Sequence, residues 1–150
     1  MSDLAGIFHA FIKESNKIEG IHRPPTVAEI EMFDKFMNHD SIRVHHLEEF
    51  VGIYEPSARL RREFGMDVQV GNHVPPPGGP DIEQELTTLL DDIDEGLPPW
   101  DAHMRFETLH PFSDGNGRVG RALWAWQQGP FKLNLGFLHA FYYQTLAGSC

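Results

Sequence analysis

The sequence predicts a mostly α-helical domain with one short β-hairpin. Apolar residues recur every three or four positions through most of the chain, the period of amphipathic helices. Pro24-Pro25, Pro56, Pro98-Pro99 and Pro130 cut these stretches into helix-sized segments. One segment, 66–80, departs from the pattern by alternating, turning at Gly71-Asn72 and leaving through a run of prolines. The chain has 150 residues, 41% of them hydrophobic, which suits a single domain over 1–150 with one core and argues against disorder.

Leu4, Ile7, Phe8, Phe11, Ile12 and Ile18 share helical spacing and predict a first amphipathic helix over 3–18. Thr26 and Glu29 have the spacing of a capping box and open a second helix, with Ile30, Phe33 and Met37 on one face. A third helix is expected over 41–54, ending before Pro56. Met66-Asp67-Val68-Gln69-Val70, the Gly71-Asn72 turn and His73-Val74 read as the two arms of a hairpin, tethered by Pro75-Pro76-Pro77-Gly78-Gly79-Pro80. Ile82, Leu86, Leu89, Leu90 and Ile93 define a fourth helix, and Ala102, Phe106 and Leu109 a fifth over 100–109. Pro111, Gly115 and Gly117 interrupt the chain before a sixth helix resumes near Gly117 and stops at Gly129-Pro130. A last helix is expected over 135–146.

Lys plus Arg is 12 and Asp plus Glu is 22, a formal net charge of -10, which disfavours nucleic acid as the main partner. Cys150 is a lone terminal thiol with no internal partner, which agrees with a reducing compartment. The N-terminus has no basic, then apolar, signal pattern, and no apolar run is long enough to span a membrane. A cytoplasmic protein is the expectation.

The chemistry concentrates in one window, His110-Pro111-Phe112-Ser113-Asp114-Gly115-Asn116-Gly117-Arg118-Val119-Gly120-Arg121. It falls in a helix–loop–helix over 100–128 whose loop feeds a helix N-terminus, where free N–H groups and the helix dipole favour an anion. The two glycines permit backbone conformations that let N–H groups converge on a phosphate. Arg118 and Arg121 lie one turn apart and add two guanidinium forks, more positive charge than a single carboxylate requires. Asp114 among phosphate ligands suggests a bridging divalent cation such as Mg²⁺. His110 is the natural general base for a hydroxyl attacking phosphorus. Taken singly, each of these is more often a turn, a solvated face or a structural histidine; their density in twelve positions makes the case.

The window resembles the signature of the Fic family, H-x-F-x-[DE]-G-N-G-R-x-x-R, at every fixed position: His110, Phe112, Asp114, Gly115, Asn116, Gly117, Arg118 and Arg121. The preceding segment 102–109 and the hairpin also look like the family's, so the resemblance covers about residues 3–146. It implies a Fic-type helical bundle with a β-hairpin flap at 66–80 over the active site. It implies transfer of AMP from ATP to a Ser, Thr or Tyr hydroxyl of a target protein, with release of pyrophosphate. His110 would deprotonate the hydroxyl, Asp114 would hold Mg²⁺, and Gly115, Asn116 and Gly117 would bind the α- and β-phosphates. Arg118 would neutralise the β-phosphate region, Arg121 would reach the γ-phosphate, and Phe112 would anchor the loop in the core. In the flap, Val68, Gln69, Val70, Gly71, Asn72 and His73 would dock the target as an added strand.

Ser15-Asn16-Lys17-Ile18-Glu19-Gly20 resembles the family's inhibitory motif, [ST]-x-x-x-E-[GN]. Ser15 and Glu19 share a helix face and Gly20 suits the helix end. The resemblance implies that the helix over 1–20 is inhibitory and that Glu19 pairs with Arg121. The implied partners are ATP and a target protein, the chain itself included, with a homo-oligomer left open.

Two other features are weaker. His103, Glu107 and His110 have the spacing of a metal-binding helix, but a second Glu-x-x-His is missing. His39, His45 and His46 read as a polar face, and of Trp124 and Trp126 one is expected in the core and the other on a contact surface. Other readings stay open: phosphorylation or another phosphate transfer, removal of AMP with Glu19 orienting a water, or an inert autoinhibited binding module. The family's phosphorylating members depart from the glycine pattern, and Gly115 and Gly117 are intact, which favours AMP. The intact His110 argues against an inert module.

Overall fold

The computed structural model describes residues 2–129, in six helices: α1 (Ser2–Ile18), α2 (Val27–Met37), α3 (Val44–Tyr54), α4 (Pro80–Asp94), α5 (Pro99–Leu109) and α6 (Asn116–Gln128). The expected helix over 135–146, and Cys150, lie outside the described residues.

The helix ends follow local chemistry. The Thr26 hydroxyl accepts the Glu29 N–H at 3.1 Å and the Thr26 N–H donates to the Glu29 carboxylate at 2.8 Å, the reciprocal capping box expected for α2. Pro occupies the first turn of α4 and of α5, where no N–H is needed. The third helix begins later than expected, at Val44. Ser41 donates instead to Asp94 at 2.9 Å, Arg43 is extended, and the Arg43 N–H donates to His46 Nδ1 at 2.9 Å. His46 is therefore a capping residue stacked on His39, with ring centroids 3.9 Å apart, and not simply part of a polar face.

Helix α6 lies at the centre and packs against α1, α2, α3 and α5. Its positions 116–125 are all buried, including Val119, Leu123 and Trp124. Phe11 of α1 stacks against Trp124 and touches Phe33, at centroid distances of 6.5 and 5.4 Å. Such a ring buries enough apolar surface that truncation to Ala should cost about 3–5 kcal/mol. Trp126 is part-buried, and its indole N–H donates to the His39 carbonyl at 2.8 Å, so it ties α6 to the end of α2.

The segment 66–80 is not a strand pair. Val70 and His73 exchange two backbone hydrogen bonds, of 3.0 and 2.9 Å, around the Gly71-Asn72 turn, and there the pairing ends. Pro75, Pro76 and Pro77 have no N–H to donate, so the returning arm cannot extend a ladder. The turn is held down from outside: a His73 ring nitrogen lies 2.9 Å from the Thr108 carbonyl of α5.

Candidate functional site

Helix α5 ends at Leu109, and His110 follows in the left-handed region at φ 50 and ψ 61. It is the one non-glycine residue with positive φ among the described residues. Such a conformation is uncommon outside glycine and survives only where the surroundings impose it. Here they do. Pro111 cannot continue the helix, and Phe112 is fully buried. Asn116 clasps Phe112 from both sides, accepting its N–H at 2.8 Å and donating to its carbonyl at 2.7 Å. Residues 59–61 run alongside: Ser113 N–H donates to the Arg59 carbonyl at 2.8 Å and Arg61 N–H to the Pro111 carbonyl at 2.9 Å.

Two glycines of the loop serve different purposes. Gly115 has φ 76, and a Cβ there would lie 2.7 Å from Val51 Cγ2, so conformation and space both require glycine. Gly117 has ordinary helical geometry, contrary to the sequence expectation of a special conformation. Its reason is space alone: a Cβ would lie 2.5 Å from the Glu19 carboxylate and 2.9 Å from Arg121 Nη1.

His110, Asp114, Gly115, Asn116 and Gly117 line one side of a cavity of about 320 Å³. Val68, Gln69 and Val70 line another part, and Glu19 also lines it. The first N–H groups of α6 have no partners within the helix, an arrangement that favours negative charge at that end. The Asn116 side chain is committed to Phe112, so only its main chain is left for a phosphate. Asp114 is exposed, and its Oδ1 accepts the Gly115 N–H at 2.8 Å. A single carboxylate facing an open cavity fits Mg²⁺, which takes one or two protein carboxylates and fills its other positions with phosphate and water oxygens.

Burial lowers the His110 pKa to about 4, with the nearby positive charge of Arg61 as the next cause. The imidazole is thus neutral at pH 7 and can accept a proton. Its Nδ1 is buried without a hydrogen-bond partner. His103 and Glu107 do not join it in a metal-like set. They are buried together, with Nε2 and Oε1 3.9 Å apart, and neither lines the cavity.

Neither arginine lines the cavity. Arg121 donates to the Ser15 hydroxyl at 2.7 Å, the Ser15 carbonyl at 3.1 Å and the Glu19 carboxylate at 2.7 Å. Gly20, at φ 80, then closes α1 with its N–H on the Lys17 carbonyl. The structure thus brings Ser15, Glu19 and Arg121 together across more than a hundred residues of chain. Arg118 instead lies over the Tyr54 ring and donates to the Glu55 carboxylate at 2.6 Å.

Sequence reasoning missed Glu55 and Arg61. Glu55 sits at the C-cap of α3, where the helix dipole disfavours an acid and nothing in the sequence marks a partner. Arg61 reads as one of a run, Arg59-Leu60-Arg61-Arg62, of ordinary surface charges, yet it is completely buried.

A sequence model of the Fic/DOC family matches residues 36–127. The match runs from the last turn of α2 almost to the end of α6, and takes in every element around the cavity except α1 with Ser15 and Glu19. The chain belongs to the Fic/DOC family.

Proposed function

We propose that this chain is a protein adenylyltransferase held off by its own first helix. Fic-family proteins generally transfer nucleotide monophosphate groups to proteins. The observation that carries the finer reading is the cavity itself. A neutral imidazole, an unpartnered helix N-terminus and an exposed carboxylate all face it.

The target hydroxyl is deprotonated by the His110 imidazole, and its oxygen bonds to the α-phosphorus of ATP. The bond from that phosphorus to the bridging oxygen breaks, and pyrophosphate leaves. The glycine-rich N–H groups of α6 hold the phosphates, and the positive charges of Arg118 and Arg121 stand behind them. Arg121 binds the γ-phosphate when it is free of Glu19. Asp114 would hold Mg²⁺, which would neutralise phosphate charge. Base catalysis of this kind contributes about 10²–10⁴-fold, and fixed donors supply much of the rest. The target lies along 68–73 by backbone pairing, which gives register with little sequence preference. Glu19 inhibits by competing with the anionic phosphate for the same guanidinium.

The test is incubation of wild type and Glu19→Gly with labelled ATP and a cell lysate. Protein-bound label from the α-phosphate, greater for Glu19→Gly, is the expected result. Label from the γ-phosphate instead would mean phosphorylation. No label of either kind would sink the reading. One observation favours AMP removal as a second activity: Glu19 itself lines the cavity that holds His110. Release of AMP from a modified target by wild type, but not by Glu19→Gly, would establish it.

A further inference from the structure

Arg61 is 0% exposed, and among the described residues no carboxylate lies within salt-bridge distance of its guanidinium. Burying a charge in this way is unfavourable unless its hydrogens are well used. Four of its five N–H groups are. Nε donates to the His110 carbonyl at 2.8 Å and Nη2 to the Leu109 carbonyl at 2.9 Å. Nη1 donates to the Met66 carbonyl at 3.0 Å and the Pro76 carbonyl at 2.9 Å.

These four carbonyls belong to two different parts of the site. Leu109 and His110 are at the end of α5, where a helix leaves carbonyls without partners and a cation is favoured. Met66 and Pro76 are the two stems of the segment that carries residues 68–73. The Arg61 main chain makes the same connection, its N–H donating to Pro111 at 2.9 Å and its carbonyl accepting from Gly79 at 3.0 Å. Asp67 tightens the stems by accepting the Gly78 N–H at 2.8 Å. A Cβ on Gly78 would lie 2.6 Å from the Met66 carbonyl oxygen, so the stems meet too closely for any side chain there. An apolar residue could fill the same space without a desolvation penalty, but it could not join these two segments.

We propose that Arg61 is a positioning residue that fixes the 67–75 segment in register with His110, so that a polypeptide paired along residues 68–70 presents its hydroxyl to the imidazole. The inference rests on the reading of residues 68–73 as the target-docking edge. Arg61 touches neither nucleotide nor target. It acts through the two backbones it joins.

The test uses the full chain in the Glu19→Gly background. Arg61→Lys keeps the charge but puts one nitrogen where three served, so it cannot reach both segments. The KM for a protein target should rise about tenfold or more, because a small displacement of reacting groups is costly. The Kd for ATP, read by calorimetry, should stay within about twofold, since the phosphate loop is held by Asn116 and Phe112 instead. Amide exchange should rise together at His73, Gly79 and His110, whose N–H closes the end of α5 on the Phe106 carbonyl. Parallel loss of ATP and target binding, or faster exchange in only one of the two segments, would overturn the proposal.

If Arg61→Lys does not fold, Asp67→Ala gives the same answer from an exposed position. It should raise the target KM and quicken exchange at His110, while Asp67→Asn, which keeps the acceptor for Gly78, restores both. Unchanged exchange at His110 in Asp67→Ala would overturn the coupling. Should the Glu19→Gly parent transfer no label at all, the adenylyltransfer reading fails, and the exchange measurements still decide whether Arg61 couples the two segments.

Discussion

Arg118 and Arg121 stand one turn apart on α6, both buried, and each is held by a carboxylate just past the end of another helix, Glu55 after α3 and Glu19 after α1. The bonds are nearly equal, 2.6 Å to Glu55 and 2.7 Å to Glu19, and both acids are 30% exposed. The difference lies in what else each acid touches. Glu19 lines the cavity that contains His110, whereas Glu55 does not. Glu55 lies within the part of the chain that matches the family, and Glu19 outside it. One pair is scaffold beneath the 110–117 loop. The other, on the proposed reading, is a clasp set at the edge of the cavity from just past the end of α1. Equal geometry therefore does not mean equal function; what decides is whether breaking the pair uncovers the cavity.

The largest effects should separate the chemistry from the clasp. His110→Ala should lower transfer by about 10²–10⁴-fold while leaving ATP binding in place, as seen by rate and calorimetry on one preparation. Arg121→Ala should weaken ATP binding by about ten- to a hundredfold in the Glu19→Gly background, as expected for loss of a charged hydrogen bond, and by about tenfold less with Glu19 present, because Glu19 already holds the guanidinium. If Arg121→Ala still responds to Glu19→Gly, the clasp works through some other group.

The scaffold pair should register in stability instead. Glu55→Gln leaves the Arg118 charge buried above Tyr54 with a weaker acceptor. Urea unfolding should show a loss of about 1–2 kcal/mol, moderated by the solvent that reaches Glu55. Transfer per folded molecule should not rise. A rise would make Glu55 a second brake and erase the distinction.

The smallest effect concerns the ground beside Arg121. Burial raises the Glu107 carboxyl from its ordinary 4.5 to about 8, with Arg121 opposing and Glu19 adding to the shift. The folded state therefore holds this proton more tightly than the unfolded chain. The resulting stability is fully present below the ordinary value and is lost as pH rises through the folded one. Wild type should thus lose stability between about pH 5 and about pH 9 more steeply than Glu107→Gln, which imitates the protonated form. Equal slopes in urea titrations would mean that Glu107 is ionised in the fold.

Much of this was legible beforehand because it depends on near neighbours. Helical periodicity, the Thr26–Glu29 capping box and the Gly115 turn are local, and the structure has them. The pairing of Ser15 and Glu19 with Arg121 was legible only through the family's motif, since no local rule connects residues so far apart. What stayed hidden depends on tertiary contact. Arg61 looks like a surface charge until its four carbonyl partners converge on it, and Glu55 looks misplaced at a helix C-terminus until Arg118 arrives. The hairpin was over-read because alternation showed strand-like arms without showing that three prolines withhold the donors a ladder needs.

The measurement that bears most directly on the contrast is calorimetric titration of ATP into wild type, Glu19→Gly and Glu55→Gln. The account predicts that Glu19→Gly tightens ATP about tenfold, equivalent to about 1.4 kcal/mol, while Glu55→Gln stays within about twofold of wild type. Unchanged affinity in Glu19→Gly, or an equal gain in both variants, would contradict it.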